Sequence, residues 1–241
     1  MPAFEAGQWL KPGEHVDLDD TAVLHHIADV LRVRTGDHIT LFHEGELYDA
    51  MVEDASRSGL AIVIESARPA RFVTRPLMLI QAVIRPVLLD DIIRMCSPLG
   101  VQRFVIFTAE RSQPWNIATR LDRLRQIAGS SAEQAETGQV PSLQLSAGLK
   151  SALSDAGLVD TMIMLSPRSD STIVGLARAG GLALQGSVAI VVGPEGGLTE
   201  SEEALLTEHG AVPVRLGTGV LRSELAGFAG ALLTRELQAA S

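Results

Sequence analysis

The sequence predicts an α/β protein: a larger carboxyl-terminal domain built on a parallel sheet with helices on both faces, preceded by a small β-rich barrel domain. Two observations carry this. From Leu77 onward, apolar runs of strand length alternate with amphipathic helical stretches, the pattern of strands buried on both sides. Between residues 14 and 67, short strand-like runs instead follow one another with turn residues between them.

The amino-terminal elements come first. HITLF (His38–Phe42) follows the turn signal Thr35-Gly36-Asp37, YDAMVEDA (Tyr48–Ala55) follows His43-Glu44-Gly45-Glu46, and LAIVIESA (Leu60–Ala67) follows Ser58-Gly59. Before them, Ala22–Arg32 places apolar residues at 23, 24, 27, 30 and 31, which is helical spacing, with Asp19 or Asp20 as its cap. Ala67–Pro76 has three arginines, two prolines and little periodicity. It reads as a linker, and the domains are set at residues 1–70 and 76–241.

In the second domain the apolar run Leu77–Ile84 has the length of a buried strand, Leu88–Gly100 reads as a helix ending at its glycine, and Arg103–Ala109 as another buried strand. Ala118–Ser131 is helical, with Leu121, Leu124, Ile127 and Ala128 on one side. Thr161–Pro167 and Ser187–Gly193 are two further strands.

Composition narrows the function classes. Of 241 residues 46% are hydrophobic but only 4% aromatic, so Leu, Val, Ile and Ala must fill the core. A formal net charge of −9 argues, taken alone, against a polyanionic partner. The charge is uneven, however. Residues 1–75 hold 7 basic and 13 acidic side chains, residues 76–141 hold 7 and 6, and residues 142–241 hold 6 and 10, so the middle third is the one segment that is not acidic. Nearly all the basic residues are Arg, whose planar fork suits phosphate and base edges. The single Cys96, in an apolar run, excludes an internal disulfide and a Cys-rich metal site, and the six histidines lack metal-ligand spacing. The start, MPAFEAGQWL, is no signal peptide, and no stretch approaches the ~18 apolar residues of a membrane span. A cytoplasmic protein with no metal and no membrane partner is expected.

The chemistry concentrates in the last quarter, in two strand–loop–helix units. In Ser187–Gly210 a strand runs into Gly193-Pro194-Glu195-Gly196-Gly197, and Thr199 then opens a helix with Glu202 three residues on, a capping box. In Val212–Leu237 a strand ends at Leu216, Gly217-Thr218-Gly219 turns the chain, and a helix starts near Ser223. Glycines at the carboxyl ends of strands let backbone approach a ligand, and that edge of an open α/β sheet is where ligands bind. A small molecule is therefore expected between the two loops. Glu195, Glu200, Glu202 and Glu203 would repel a pyrophosphate, and neither GxGxxG nor GxxxxGK[ST] is present. An adenosine-bearing ligand without phosphate and with a positive centre fits better; S-adenosyl-L-methionine (SAM) is such a molecule.

These two strings, GPEGGLTESE and LGTGVLRSELA, resemble the paired signature of the SPOUT-class 16S rRNA (uracil-N3)-methyltransferases. Val30-Leu31-Arg32 with Gly36-Asp37, Glu110-Arg111-Ser112, and Glu133-Gln134 with Val140-Pro141 are similar to further stretches of that family, in order along the chain. The resemblance implies a PUA-like amino-terminal domain that helps hold RNA, a carboxyl-terminal α/β domain whose last segment threads a trefoil knot, SAM as cofactor, 16S rRNA or the small ribosomal subunit as partner, and a homodimer. It assigns the cofactor loops to Gly193, Glu195, Gly196 and Gly197, then Leu216, Gly217, Val220 and Leu221, with Leu165 on the adenine side. Arg222 and Glu224, just after the second loop, are the candidate catalytic pair, and Arg32, Arg34 and Arg111 the candidate RNA contacts. Leu225 stands where the family has Thr, no Arg follows Glu133-Gln134 before Val140, and Pro98 replaces a Glu. The same residues also suit a SPOUT enzyme with another rRNA or tRNA target, or a paralogue that binds RNA or SAM without catalysis.

Overall fold

A computed structural model describes residues 3–18, 33–56, 59–70 and 75–240. The helix expected over Ala22–Arg32, and with it Arg32, lies outside the described residues. The chain divides into two compact units, Met1–Val73 with Ala132–Val140, and Thr74–Ser131 with Pro141–Ser241.

The first unit is a five-stranded sheet in the order β1-β3-β4-β5-β2, from β1 (Ala3–Glu5), β2 (His15–Leu18), β3 (His38–His43), β4 (Glu46–Ser56) and β5 (Gly59–Pro69). β1 pairs parallel with β3, and the other pairings are antiparallel. Strand alternation sends Ile39, Leu41, Ala50, Val52, Ile62 and Ile64 into one buried cluster. β5 continues to Pro69, so the stretch read as a linker from Ala67 begins as strand; its backbone keeps pairing with β4 as far as Glu46↔Pro69. Residues 132–140 are tied in by Gly45 N–H donating to Gly138 O at 2.8 Å and by Val140 against Phe42, Leu47 and Ala70. Here φ of Gly138 is +74°, and an added Cβ would lie 2.5 Å from that of Ala70, so only glycine fits.

The second unit is a six-stranded parallel sheet, ordered β11-β9-β10-β6-β7-β8. Its strands are β6 (Leu77–Ala82), β7 (Arg103–Phe107), β8 (Ser142–Ser146), β9 (Thr161–Leu165), β10 (Val188–Val192) and β11 (Val212–Val214). The helices are α1 (Pro86–Cys96), α2 (Leu121–Ala135), α3 (Leu149–Ala156), α4 (Ile173–Arg178), α5 (Glu200–Glu208) and α6 (Ser223–Ala239). α1 starts two residues earlier than expected because Pro86 takes a first-turn position, where its missing N–H costs nothing; its last turn, Ser97–Leu99, tightens to a 3-10 helix. β8, α3 and α4 went unread. SLQLS is only half-buried at the sheet edge, and the helices are short, so none shows a long apolar period.

β10 inserts between β9 and β6, and β11 returns outside β9. The carboxyl ends of these four strands therefore face the same edge, where the chain's direction of travel across the sheet reverses. α6 leaves the β11 end and packs on α1, β10 and β6. Its approach is close: a Cβ on Gly227 would lie 2.4 Å from Ile92 Cδ1. Cys96 is buried on α1, and burial pushes its thiol up to about 12, so it is inert.

One buried carboxylate joins α1 to the start of α2. Asp90 Oδ2 accepts from Arg120 Nη2 at 2.7 Å and from Arg123 Nε at 2.9 Å, and the Asp90 side chain is 4% exposed. Asp90→Asn leaves Arg120, itself two-thirds buried, without its counter-charge. The expected cost is about 3 kcal/mol, a fall in Tm of roughly 6–12 °C by calorimetry. Arg123 is 60% exposed, and Arg123→Ala should change Tm little.

Candidate active site

The two glycine-bearing loops meet. Gly193–Leu198, after β10, and Leu216–Ser223, between β11 and α6, form facing walls of one cleft of about 800 Å³. The end of β9, Leu165–Arg168, closes a third side. All nine residues assigned above to cofactor binding line it, as do Arg222, Glu224 and Arg111.

The first loop is built by its own chemistry. Thr199 caps α5: its Oγ1 accepts from Glu202 N–H at 3.3 Å, and Glu202 Oε2 accepts from Thr199 N–H at 2.9 Å. Glu202 Oε1 also accepts from Glu110 N–H at 3.0 Å, so the loop after β7 is held to the same cap. A Cβ on Gly193 would lie 3.0 Å from Leu198 Cγ and 3.1 Å from Leu198 N, so a side chain would crowd the loop where it folds back on itself. Arg111 Nη1 donates to Gly196 O at 3.2 Å and Leu198 O at 3.3 Å, clamping the loop from outside.

The second loop ends in a helix start that local propensity would not choose. Arg222 is the N-cap of α6 and makes no side-chain cap hydrogen bond, although Ser, Thr, Asp or Asn there stabilises a helix by about 1 kcal/mol. Glu224 sits in the first turn, where the helix dipole favours its charge. It is only 7% exposed, and its Oε2 has no protein partner.

The structure corrects one step of the charge reading. Four glutamates were expected around the ligand, but Glu202 is committed to the capping box and Glu200 does not line the cleft. The lining holds five arginines, at 85, 111, 168, 215 and 222, against Glu195, Glu203 and Glu224. Three are spent locally: Arg111 holds the first loop, Arg168 Nη2 pairs with Glu203 Oε1 at 2.9 Å, and Arg215 Nη1 donates to Gly217 O. Arg85 and Arg168 were not placed at the ligand because they sit on other segments, with no motif of their own, whereas Glu203 was among the four glutamates expected there. Glu195 Oε1 accepts from Arg85 N–H at 3.3 Å, toward the start of α1.

The remaining candidates lie elsewhere. Arg34 is exposed in the first unit, where its N–H donates to Asp37 Oδ2 at 2.7 Å. Trp9 and Trp115 are exposed at 56% and 45%; Trp9 meets the His43 ring edge-on at 5.3 Å. Among the described residues no group of three or more His, Cys, Asp or Glu could hold a metal ion, and no helix is long and apolar enough to cross a membrane.

Known proteins share this arrangement. A family profile described as "RNA methyltransferase domain" matches residues 73–234, and one described as "RNA methyltransferase PUA domain" matches residues 18–65. A ribosomal RNA small subunit methyltransferase E from Mycobacterium bovis is 30% identical over 224 residues, covering 87% of this chain and 84% of that protein. The chain belongs to the ribosomal RNA small subunit methyltransferase E family. The Bacillus subtilis member is 28% identical over 212 residues, covering 84% of this chain and 83% of its own. In three dimensions the Neisseria gonorrhoeae member, bound to S-adenosyl methionine, superposes with a TM-score of 0.84 at 28% identity over 98% of both chains. A Legionella pneumophila methyltransferase, also with SAM bound, gives 0.83 at 25% identity over 99% of this chain and 97% of its own. The fold is thus the SPOUT arrangement with an amino-terminal PUA domain.

Proposed function

We propose that this methyltransferase E family member transfers the methyl group of SAM to N3 of the decoding-region uridine of 16S rRNA, acting as a homodimer on the rRNA or the small ribosomal subunit. The observation that carries the reading is the meeting of Gly193–Leu198 and Leu216–Ser223 around one cleft at the carboxyl edge of the sheet.

The residues present fit the cofactor. The cleft lies within the ~300–1,000 Å³ of small-molecule sites. Leu165, Val214 and Leu216 give it an apolar side for an adenine, and the glycine loops offer main-chain amides and carbonyls close to any occupant. Glutamates among the lining suit a sulfonium, and Gly193–Gly197 places Glu195 where a pyrophosphate seat would need neutral donors. When bound, the cofactor supplies a methyl group on a sulfonium, an electrophile open to in-line displacement.

The protein's task is then the nucleophile. Uracil N3 carries a proton and attacks poorly until it leaves. It also lies on the pairing edge, so the nucleotide must be unpaired or flipped into the cleft. Arg222, exposed at the mouth and spared any capping duty, is suited to steady the developing uracil anion or a flanking phosphate. Glu224, with a buried oxygen that no protein group satisfies, is suited to accept the proton or to orient Arg222. The arginines around the cleft favour a polyanion there despite the net charge of −9, and Arg34 in the PUA unit would add to the RNA contact.

The test is mass spectrometry of rRNA nucleosides from a strain lacking the gene. 3-Methyluridine should vanish from 16S rRNA and return with the intact gene but not with the Arg222→Ala form. Unchanged 3-methyluridine in the deletion strain would reject the assigned base.

A further inference from the structure

β6 reads Leu77-Met78-Leu79-Ile80-Gln81-Ala82, and its one polar residue is completely buried at the centre of the sheet, between Val192 of β10 and Ile106 of β7. An amide there costs stability unless its hydrogen bonds are made. Gln81 Nε2 donates to Ala82 O at 2.9 Å and to Ser223 Oγ at 2.9 Å. Ser223 Oγ in turn donates to Gly193 O at 2.6 Å. Ser223 is 6% exposed and is the first residue of α6. Its hydroxyl is therefore spent on the other glycine loop and not on capping its own helix.

Three segments far apart in sequence are joined by this path: the end of β6, the first residue of the first glycine loop, and the start of α6, whose flanking residues are Arg222 and Glu224. Among the described residues no backbone hydrogen bond joins these three segments. The space for the amide is kept by Gly227 of the same helix, where an added Cβ would lie 3.3 Å from Gln81 Oε1 as well as against Ile92. A purely apolar β6 would pack a helix equally well; an amide and a hydroxyl in series set a fixed distance.

We infer that Gln81 and Ser223 are positioning residues that hold the start of α6 in register with the first glycine loop, and so place Arg222 and Glu224 against whatever that loop binds. The inference rests on the functional reading above for what is positioned. Gln81 is wholly buried, and the Ser223 hydroxyl at the cleft wall is committed to Gln81 and Gly193, so each acts through the helix start.

The test uses the full chain with Gln81→Met, Ser223→Ala, Ser223→Thr and the Gln81→Met/Ser223→Ala double variant. It measures SAM affinity by calorimetry, kcat and KM on small subunits from the deletion strain, and Tm. Ser223→Ala and Gln81→Met should each lower kcat by about tenfold or more and weaken SAM binding only a few-fold, with KM for the subunit unchanged. Ser223→Thr keeps the hydroxyl and should recover most of kcat. The double variant should be no worse than the poorer single one, since both break the same path. A kcat within twofold of the parent for both single variants, or losses that multiply independently, would overturn the inference, as would equal falls in Tm and kcat for Thr and Ala at 223. If the parent protein itself binds no SAM, the functional reading fails instead. The path is then judged by whether the two substitutions are non-additive in Tm, and additive values reject it.

Discussion

Arg222→Ala is expected to lower methyl transfer by about 100- to 1,000-fold, the usual cost of removing one donor aimed at developing charge, while SAM affinity stays within about threefold. The separation follows from where Arg222 sits. It occupies the N-cap position of α6 without capping it, so the helix loses no hydrogen bond when the guanidinium is removed. Alanine caps no better than arginine, and Tm should move little. The first glycine loop keeps its own supports, the Thr199–Glu202 box and the Arg111 clamp. Single-turnover methylation and calorimetry on the same preparation decide the matter. Full turnover in Arg222→Ala would reduce Arg222 to an exposed surface residue and leave Glu224 as the only candidate beside the cleft. Arg222→Lys retains charge without the planar fork; a loss nearly as deep would mean that geometry, and not charge alone, is used.

Gly193→Ala is the second large effect, and it should strike binding before chemistry. The added methyl would meet Leu198 N and Cγ at about 3 Å, a few tenths of an ångström too close, so Leu198 must shift. Leu198 is 5% exposed within the core cluster, and its carbonyl is held by Arg111. The loop must open, and the Ser223–Gly193 hydrogen bond shifts with it. SAM affinity should fall at least tenfold, about 1.4 kcal/mol, with a smaller fall in stability. Gly219→Ala is the matched control, because an added Cβ there meets no protein atom and φ is not in the left-handed region. A loss of SAM affinity in that variant reports contact between the second loop and the ligand. Unchanged affinity in both variants would remove the glycine loops from the cofactor site.

Much of the site was legible because it is encoded locally. Thr199 and Glu202 form their box across one helical turn, and Gly193 and Gly217 mark bends by lacking a side chain. The boundaries of α5 follow from such short-range signals, whereas α6 starts at an Arg222 that makes no capping hydrogen bond. The strands β6, β7, β9 and β10 were readable because burial on both faces demands predominantly apolar runs. Elements without that demand escaped: β8 is a half-exposed edge strand, and α3 and α4 are too short to show a period. The charge balance of the cleft was misjudged for a related reason. Arg85 and Arg168 come from separate segments, and nothing in their neighbourhood marks them as sharing a wall with Glu195.

From the sequence alone came the two-part α/β architecture, the pair of glycine loops and the family, since each depends on residue type and spacing within about twenty positions. Tertiary structure alone decided that β10 lies between β9 and β6, which brings the two loops to one edge. It also decided that residues 132–140 return to the first unit, and that Gln81, buried for no reason visible in β6, reaches Ser223 142 positions away. Strand order and side-chain partners are set by packing between distant segments, and a hydrogen bond across that distance leaves no periodic trace along the chain.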